Sequence, residues 1–349
     1  MSAPWDDTCL VIAEVAQSHD GSLGTAHAFI DAAAAAGAGA IKFQTHIAAA
    51  ESTPAEPWRV RFSAQDETRY AYWQRMEFSE EQWAGLAAHA ADAGVLFMSS
   101  AFSMEAVELL HRVGMGVWKV ASGEVGNLEL LDAMVATGGP VLLSSGMSPW
   151  TELDAAVARV RDAGVELAVL QCTSDYPTAP SQVGLNLLAE LAGRYGVPVG
   201  LSDHSGTIYP GLAAVTLGAQ VIEVHLALSR GQFGPDVAVS LTPDELRQLV
   251  DGVAYVSEAL ANPLDKDAEA ARLAPMRDLF TRSLALRGPL AAGSVLTAAD
   301  LVAKKPGTGI SPTRRAELVG RRLVRDLPAD HLVELADLAD TDAAPDGAP

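Results

Sequence analysis

Short apolar runs rich in β-branched residues alternate with longer stretches in which apolar positions recur every three or four residues. The short runs predict strands. They are CLVIAEV ending near Glu14, AIKFQ ending near Gln44, VLFMS ending near Ser99 and GVWKVAS ending near Ser122. PVLLSS to Ser145, LAVLQC to Cys172, VPVGLSD to Asp203 and AQVIEVH to His225 complete the set. The longer stretches predict amphipathic helices over about 22–37, 79–93, 103–113, 127–137, 151–163, 182–195, 208–218 and 242–260. Gly94 and Gly164 stand where a left-handed helix cap is needed. Eight strands, each followed by a helix, call for an all-parallel sheet. Eight such units in about 260 residues match a (β/α)8 TIM barrel. A doubly wound open sheet shares the alternation and is the rival architecture; the count favours the barrel.

Two stretches break the rhythm. The connection over 46–77 is long and holds Trp58, Arg59, Arg61, Arg69, Tyr70, Tyr72, Trp73 and Arg75. Its aromatic and arginine content predicts an ordered flap over one barrel end or a direct substrate contact. Past residue 262 the alternation stops. The expected division is a catalytic barrel over 1–262, a linker with a short helix over 263–281, a small β-rich module over 282–340 and a disordered tail over 341–349.

Composition narrows the class. Hydrophobic residues make up 49% of the 349, enough for a substantial core. The formal net charge of −20 argues against nucleic acid and anionic membrane surfaces as partners. Two cysteines, Cys9 and Cys172, both in apolar runs, predict buried thiols and no disulfide framework. No leader-like or membrane-spanning stretch is seen, so a cytoplasmic protein is expected. There are only five lysines, Lys42, Lys119, Lys266, Lys304 and Lys305, which makes the position of each informative.

TIM barrels assemble their active sites at the C-terminal ends of the strands. Here those ends carry Glu14, Lys42, Gln44, Ser99, Ser100, Lys119, Ser122, Glu124, Ser144, Ser145, Gln171, Asp203, His204, Glu223 and His225. Lys42 and Lys119 with the serines of strands three to five suit a phosphate, since lysine offers a point charge and hydroxyls add donors. The plainer alternative pairs these lysines with Glu14 or Glu124 inside the barrel. Lysine is seldom buried without a partner or a role. His204 and His225 end adjacent strands, and two converging imidazoles suit a divalent metal. Glu14 and Glu124 are candidate general acids or bases, and equally candidate ion-pair partners. A Schiff-base aldolase is the enzyme rival, because either lysine offers an amine. A non-catalytic binding barrel needs fewer reactive residues on one face.

At these residues the chain resembles the N-acetylneuraminate (sialic acid) synthase family, over about residues 9–340. The segments that carry the resemblance are IAEVAQSHDGSL, IKFQTH, FMSSAFS, WKVASGEVGN, LLSSGM, LQCTSDYPT, GLSDHSG, IEVH and FGPD. KKPGTGISP and GRRLVRD resemble the antifreeze-like (SAF) module that these enzymes append. The resemblance implies condensation of phosphoenolpyruvate with the open-chain aldehyde of an N-acylated mannosamine-type sugar. The product is a nine-carbon 2-keto-3-deoxy (nonulosonic) acid, and phosphate is released. It implies Mn²⁺ or Mg²⁺ held by His204 and His225, polarising the aldehyde. It implies phosphoenolpyruvate contacts at Lys42, Ser100, Lys119, Ser122 and Ser144 with Gln44 close by. Glu14 and Glu124 match catalytic-site acids, and Tyr176 and Asp236 match sugar-facing positions. It also implies a homodimer in which one chain's small module caps the other's barrel and brings Lys305 to the sugar.

The departures from the family pattern bear on the sugar. Lys305 stands where arginine is common, without its planar fork. Val224 replaces a basic residue between Glu223 and His225, and Val237 replaces a histidine. Ser100-Ala101 replaces Thr-Pro, and Ser18-His19-Asp20-Gly21 replaces N-H-N-G. The acceptor is left open among N-acetylmannosamine, a 2,4-diacetamido-6-deoxy sugar, a 6-phosphate and a less familiar aldose.

Overall fold

Alternation within each strand sends one set of side chains inward and the other outward. In the computed structural model, which describes residues 3–6 and 8–339, eight parallel strands close into a barrel in sequence order. They are β1 (Leu10–Ala16), β2 (Ala40–Thr45), β3 (Leu96–Ala101), β4 (Trp118–Val120), β5 (Val141–Ser144), β6 (Leu167–Cys172), β7 (Val199–Asp203) and β8 (Val221–His225). β1 pairs with both β2 and β8, which closes the ring and excludes the open sheet. Outward-facing Ala13, Val15, Ile41, Phe43, Trp118, Leu143 and Ile222 pack beneath the helices. Inward-facing Ile12, Ala40, Met98, Leu142, Leu170 and Val221 fill the lower interior, with Trp5 among them. The polar residues one step further along these same strands therefore occupy the upper interior.

The barrel helices are α1 (Leu23–Ala36), α2 (Ala48–Glu51), α3 (Arg69–Met76), α4 (Glu80–Asp92), α5 (Met104–Val113), α6 (Leu128–Val135), α7 (Trp150–Asp162), α8 (Asn186–Tyr195), α9 (Tyr209–Thr216) and α10 (Pro243–Ala261). Capping sets several boundaries. Ser79 and Gln82 form a capping box on α4, and Thr242 and Glu245 form one on α10. Gly94 (φ 76°) and Gly164 (φ 70°) follow α4 and α7 in the left-handed conformation. The helix expected from residue 182 starts later, because Pro180–Gln182 forms a separate 3-10 turn.

The stretch over 46–77 holds α2 and α3 rather than open loop. Ala48, Tyr72, Trp73 and Met76 form its own core, with Trp58, Phe62 and Tyr70 against it. The Arg75 guanidinium bonds both Asp66 oxygens and reaches Asp20 Oδ1 at 2.7 Å. That clamp ties the stretch to the turn after β1.

The chain divides into two compact units between Asn262 and Pro263. In the second, the expected linker holds two helices, α11 (Lys266–Arg272) and α12 (Ala274–Phe280). β9 (Ser283–Leu286) and β10 (Leu301–Lys304) then pair antiparallel, and α13 (Arg315–Leu318) follows. Leu284, Leu286, Leu296, Leu301, Leu318 and Val333 form a separate core there. The tail expected over 341–349 lies outside the described residues. Among the described residues, no helix is long and apolar enough to cross a membrane.

Candidate active site

The inward phase of the strands gathers Glu14, Lys42, Ser100, Lys119, Ser144 and Glu223 into one buried cluster. Register explains the grouping: Glu14 lies opposite Lys42 on one side and His225 on the other, and Ser100 lies opposite Lys119. Lys42 Nζ sits 2.7 Å from Glu14 Oε2 and 3.7 Å from Glu223 Oε1. Lys119 Nζ sits 3.7 Å from Glu223 Oε1 and donates to Ser144 Oγ at 2.6 Å. Lys42 also donates to Ser100 Oγ, at 3.5 Å. Ser122, at the mouth of β4, donates to Cys172 Sγ at 3.4 Å.

Two ammonium groups and two carboxylates share this space, and burial acts on each differently. Burial pushes Glu14 up to about 7, although Lys42 pulls against it; Glu223 adds to the rise. Burial also opposes the charge on Glu223, but Lys119 and Lys42 outweigh it and hold that carboxyl down at about 2. Burial works against the Lys42 ammonium, yet Glu14 and Glu223 keep it above the ordinary lysine range. Lys119 has the weaker partners, so burial pulls it below that range.

Above this cluster stand the imidazoles of His204 and His225, with ring centroids 5.2 Å apart. His204 Nδ1 lies 2.8 Å from the Thr173 carbonyl oxygen. A carbonyl only accepts, so Nδ1 carries a proton; burial works against the imidazolium, but Cys172 and the Thr173 carbonyl outweigh it and hold His204 above the ordinary histidine range. Burial holds His225 well below the ordinary histidine range, and its Nδ1 is buried without a partner among the described residues. Imidazole nitrogens are ligands that a divalent metal takes, and His225 offers one from a ring that burial keeps neutral. Among the described residues, no group of three or more His, Cys, Asp and Glu side chains is arranged to hold an ion.

A cavity of about 180 Å³ opens beside the histidines, lined by Gln17, Gln44, Trp58, Arg59, Tyr176, His225 and Asp236 among others. The Tyr176 ring lies 4.2 Å from that of His204. The Arg59 guanidinium lies 4.3 Å from the Tyr176 ring centroid and donates to Asp236 Oδ1 at 2.8 Å. The stretch over 46–77 thus supplies one wall of the cavity.

Of the residues singled out from sequence, Glu14, Lys42, Gln44, Ser100, Lys119, Ser144, His204 and His225 come together at the barrel's upper end, with Tyr176 and Asp236 at its mouth. Glu124 does not join the lysines. It lies beyond the end of β4, where its Oε2 accepts from Asn127 Nδ2 at 3.0 Å. Glu223 takes the pairing expected of Glu124, because it sits inside β8 on the inward phase. Lys305 belongs to the second unit, where its Nζ lies 5.0 Å from the Phe280 ring centroid. Glu223 received no role from sequence, although its position two residues before His225 puts both on one strand face. Gln17 stands just beyond the end of β1 and Arg59 in the long connection expected to contact substrate, but sequence gives neither a specific role. Both lie on irregular backbone, where no periodicity points to the direction of a side chain.

Residues 29–264 match the NeuB family model, and residues 281–339 match the SAF domain. The chain belongs to the NeuB family. It is 31% identical over 330 residues to N,N'-diacetyllegionaminic acid synthase of Campylobacter jejuni subsp. jejuni, spanning 93% of this chain and 98% of that one. The corresponding synthase of Legionella pneumophila subsp. pneumophila is 33% identical over 331 residues, spanning 92% of each. Among solved structures, the N-acetylneuraminic acid synthetase of Leptospira borgpetersenii, in complex with citrate, superposes with a TM-score of 0.68 at 29% identity. That match covers 78% of this chain and 93% of the other. NeuB membership accounts for a closed barrel followed by an SAF unit, and its relatives named here are acid synthases.

Proposed function

We propose that this NeuB-family chain condenses phosphoenolpyruvate with an N-acylated mannosamine-type aldose, giving a nine-carbon 2-keto-3-deoxy acid and phosphate. The observation that carries the reading is the buried Lys42–Glu14–Glu223–Lys119 cluster lying beneath the paired imidazoles of His204 and His225. It offers an anion seat next to an electrophile site. Lys42 and Lys119, with Ser100, Ser122 and Ser144, hold the carboxylate and phosphate of phosphoenolpyruvate. His204 and His225 hold Mn²⁺ or Mg²⁺, which when bound supplies Lewis-acid polarisation of the sugar aldehyde. Tyr176 and Asp236 face the sugar.

C3 of phosphoenolpyruvate bonds to the aldehyde carbon, whose oxygen gains a proton. Water adds to C2 and gives up one proton; the C2–O bond to phosphate then breaks as the C2 hydroxyl becomes the ketone, and its second proton leaves with the phosphate. Glu14, poised near neutrality and protonated when phosphoenolpyruvate binds, is placed to give its proton to the aldehyde oxygen and then, ionised, to take one from that water. The legionaminic acid synthases among the relatives favour a 2,4-diacetamido-6-deoxy aldose as acceptor, with N-acetylmannosamine, its 6-phosphate and a less familiar aldose as the alternatives. The reading includes a dimer in which the SAF unit of one chain, with Lys305, completes the partner's sugar site, and it places the enzyme in the cytoplasm.

The deciding experiment measures phosphate released from phosphoenolpyruvate with a panel of aldoses, with and without Mn²⁺. Metal-dependent release with an N-acyl aldose is expected. Absence of turnover across the panel removes the reading. A metal-independent lysine adduct trapped by borohydride replaces it with the Schiff-base aldolase.

A further inference from the structure

A hydrogen-bonded chain runs from Glu51 through His46, Gln17 and Gln44 to Glu14, and the Gln17 Oε1 within it has no partner among the described residues. Gln44 Nε2 donates to Glu14 Oε1 at 2.8 Å. The oxygen of the Gln44 amide therefore faces Gln17, whose Nε2 donates to it at 2.6 Å. The same Gln17 nitrogen lies 2.8 Å from His46 Nε2, so that ring nitrogen is the acceptor. The ring proton is then on Nδ1, which donates to Glu51 Oε1 at 2.6 Å. Turning the Gln17 amide over would set its oxygen against two acceptors at once. With Glu14 ionised and Nδ1 of His46 carrying the ring proton, every link takes this polarity; His46 Nε2 also lies 3.3 Å from Gln44 Oε1.

The geometry is held from both sides. The His46 ring is stacked between Trp73 and Phe102, with centroids 4.0 and 4.5 Å away. β1 changes register between Glu14 and Ala16, and Ala16 adopts φ 47°, an uncommon conformation for alanine. This turn takes Gln17 out of the strand's alternation and sets it at the cavity wall. Gln17 is 6% exposed, and its Nε2 is engaged twice. Its Oε1 accepts no hydrogen bond from the described residues, and Gln17 is one of the residues that line the cavity.

We propose that Gln17 is a specificity-determining residue for the sugar. Its Oε1 accepts a hydrogen bond from a hydroxyl or amide N–H of the acceptor aldose. Glu51 and His46 are positioning residues that hold the amide in this sense. The proposal rests on the condensation reading above and adds to it the kind of group the sugar must present. A site built around a fixed acceptor discriminates against an analogue that lacks the donor.

The test compares wild type, Q17M, E51Q and the double variant. Phosphate release is measured with N-acetylmannosamine and with the 2,4-diacetamido-6-deoxy aldose. In Q17M the sugar KM is expected to rise roughly tenfold, the size of one neutral hydrogen bond, with the phosphoenolpyruvate KM changed less than about twofold. E51Q is expected to show the same split although Glu51 lies outside the cavity lining, and the double variant to be no worse than Q17M. An unchanged sugar KM in Q17M, or equal rises for both substrates, overturns the role of Gln17. Additive losses in the double variant overturn the relay. Should E51Q not fold, as judged by its melting curve, the Q17M split alone decides. A wild type inert with both sugars removes the condensation reading and this role together, whereas an active wild type with an indifferent Q17M removes this role only.

Discussion

Charge balance in the barrel core decides what the single residues do. Lys42, Lys119, Glu14 and Glu223 sum to zero when all are ionised. With Glu14 poised at about 7, the cluster carries a net positive charge below that pH and none above it. An anion bound there favours the protonated form of Glu14. Binding of phosphoenolpyruvate is therefore expected to take up a proton near pH 7 and to weaken as the pH rises through it. Calorimetry in two buffers of different ionisation enthalpy measures this uptake, and Glu14→Gln removes the share due to Glu14. For folding, the raised Glu14 contributes fully below its ordinary 4.5, and that contribution is lost as pH rises through about 7. The lowered Glu223 contributes above 4.5, and that contribution is lost as pH falls through about 2. Glu223→Gln leaves two buried ammonium groups with one carboxylate between them. A loss of roughly 3–5 kcal/mol is expected, read from denaturant unfolding.

At the scale of elements, the stretch over 46–77 is held chiefly by its own aromatic core and by the Arg75 clamp on Asp66 and Asp20. Arg75→Ala leaves the buried Asp66 carboxylate with Ser63 as its remaining side-chain partner. A loss of roughly 1–3 kcal/mol is expected in thermal unfolding, together with faster proteolytic cleavage between residues 53 and 68. The sugar KM is expected to rise more than that of phosphoenolpyruvate, because this stretch walls the cavity and not the lysine cluster. The same stretch marks the limit of what sequence makes legible. All eight strands follow from short, near-continuous apolar runs between helical stretches, and strand ends locate Lys42, Lys119, His204 and His225. Inside a strand the alternation even points at Glu223 through His225. Beyond a strand end there is no period, so the turn that carries Glu124 away from the cluster, the bulge that re-aims Gln17 and the path that brings Arg59 to Asp236 have no counterpart in the pattern of residues.

For the whole molecule, the scarcity of lysine gains a meaning that net charge hides. A chain of formal charge −20 places two of its five lysines at the base of its candidate site. Two more, Lys304 and Lys305, stand side by side in the second unit, where Lys304 pairs with Asp330. If the exchange of SAF units proposed above operates, Lys42 and Lys305 of one chain serve different sites. Lys42→Ala chains and Lys305→Ala chains are each expected to be poorly active alone. Mixed in equal amounts under conditions that exchange subunits, half of the dimers are heterodimers, each with one intact site and one doubly defective site. Recovery of about one quarter of wild-type activity is then expected in the phosphate-release assay. Without exchange, every site in the mixture keeps one defect, and mixing yields no more than the mean of the two variants.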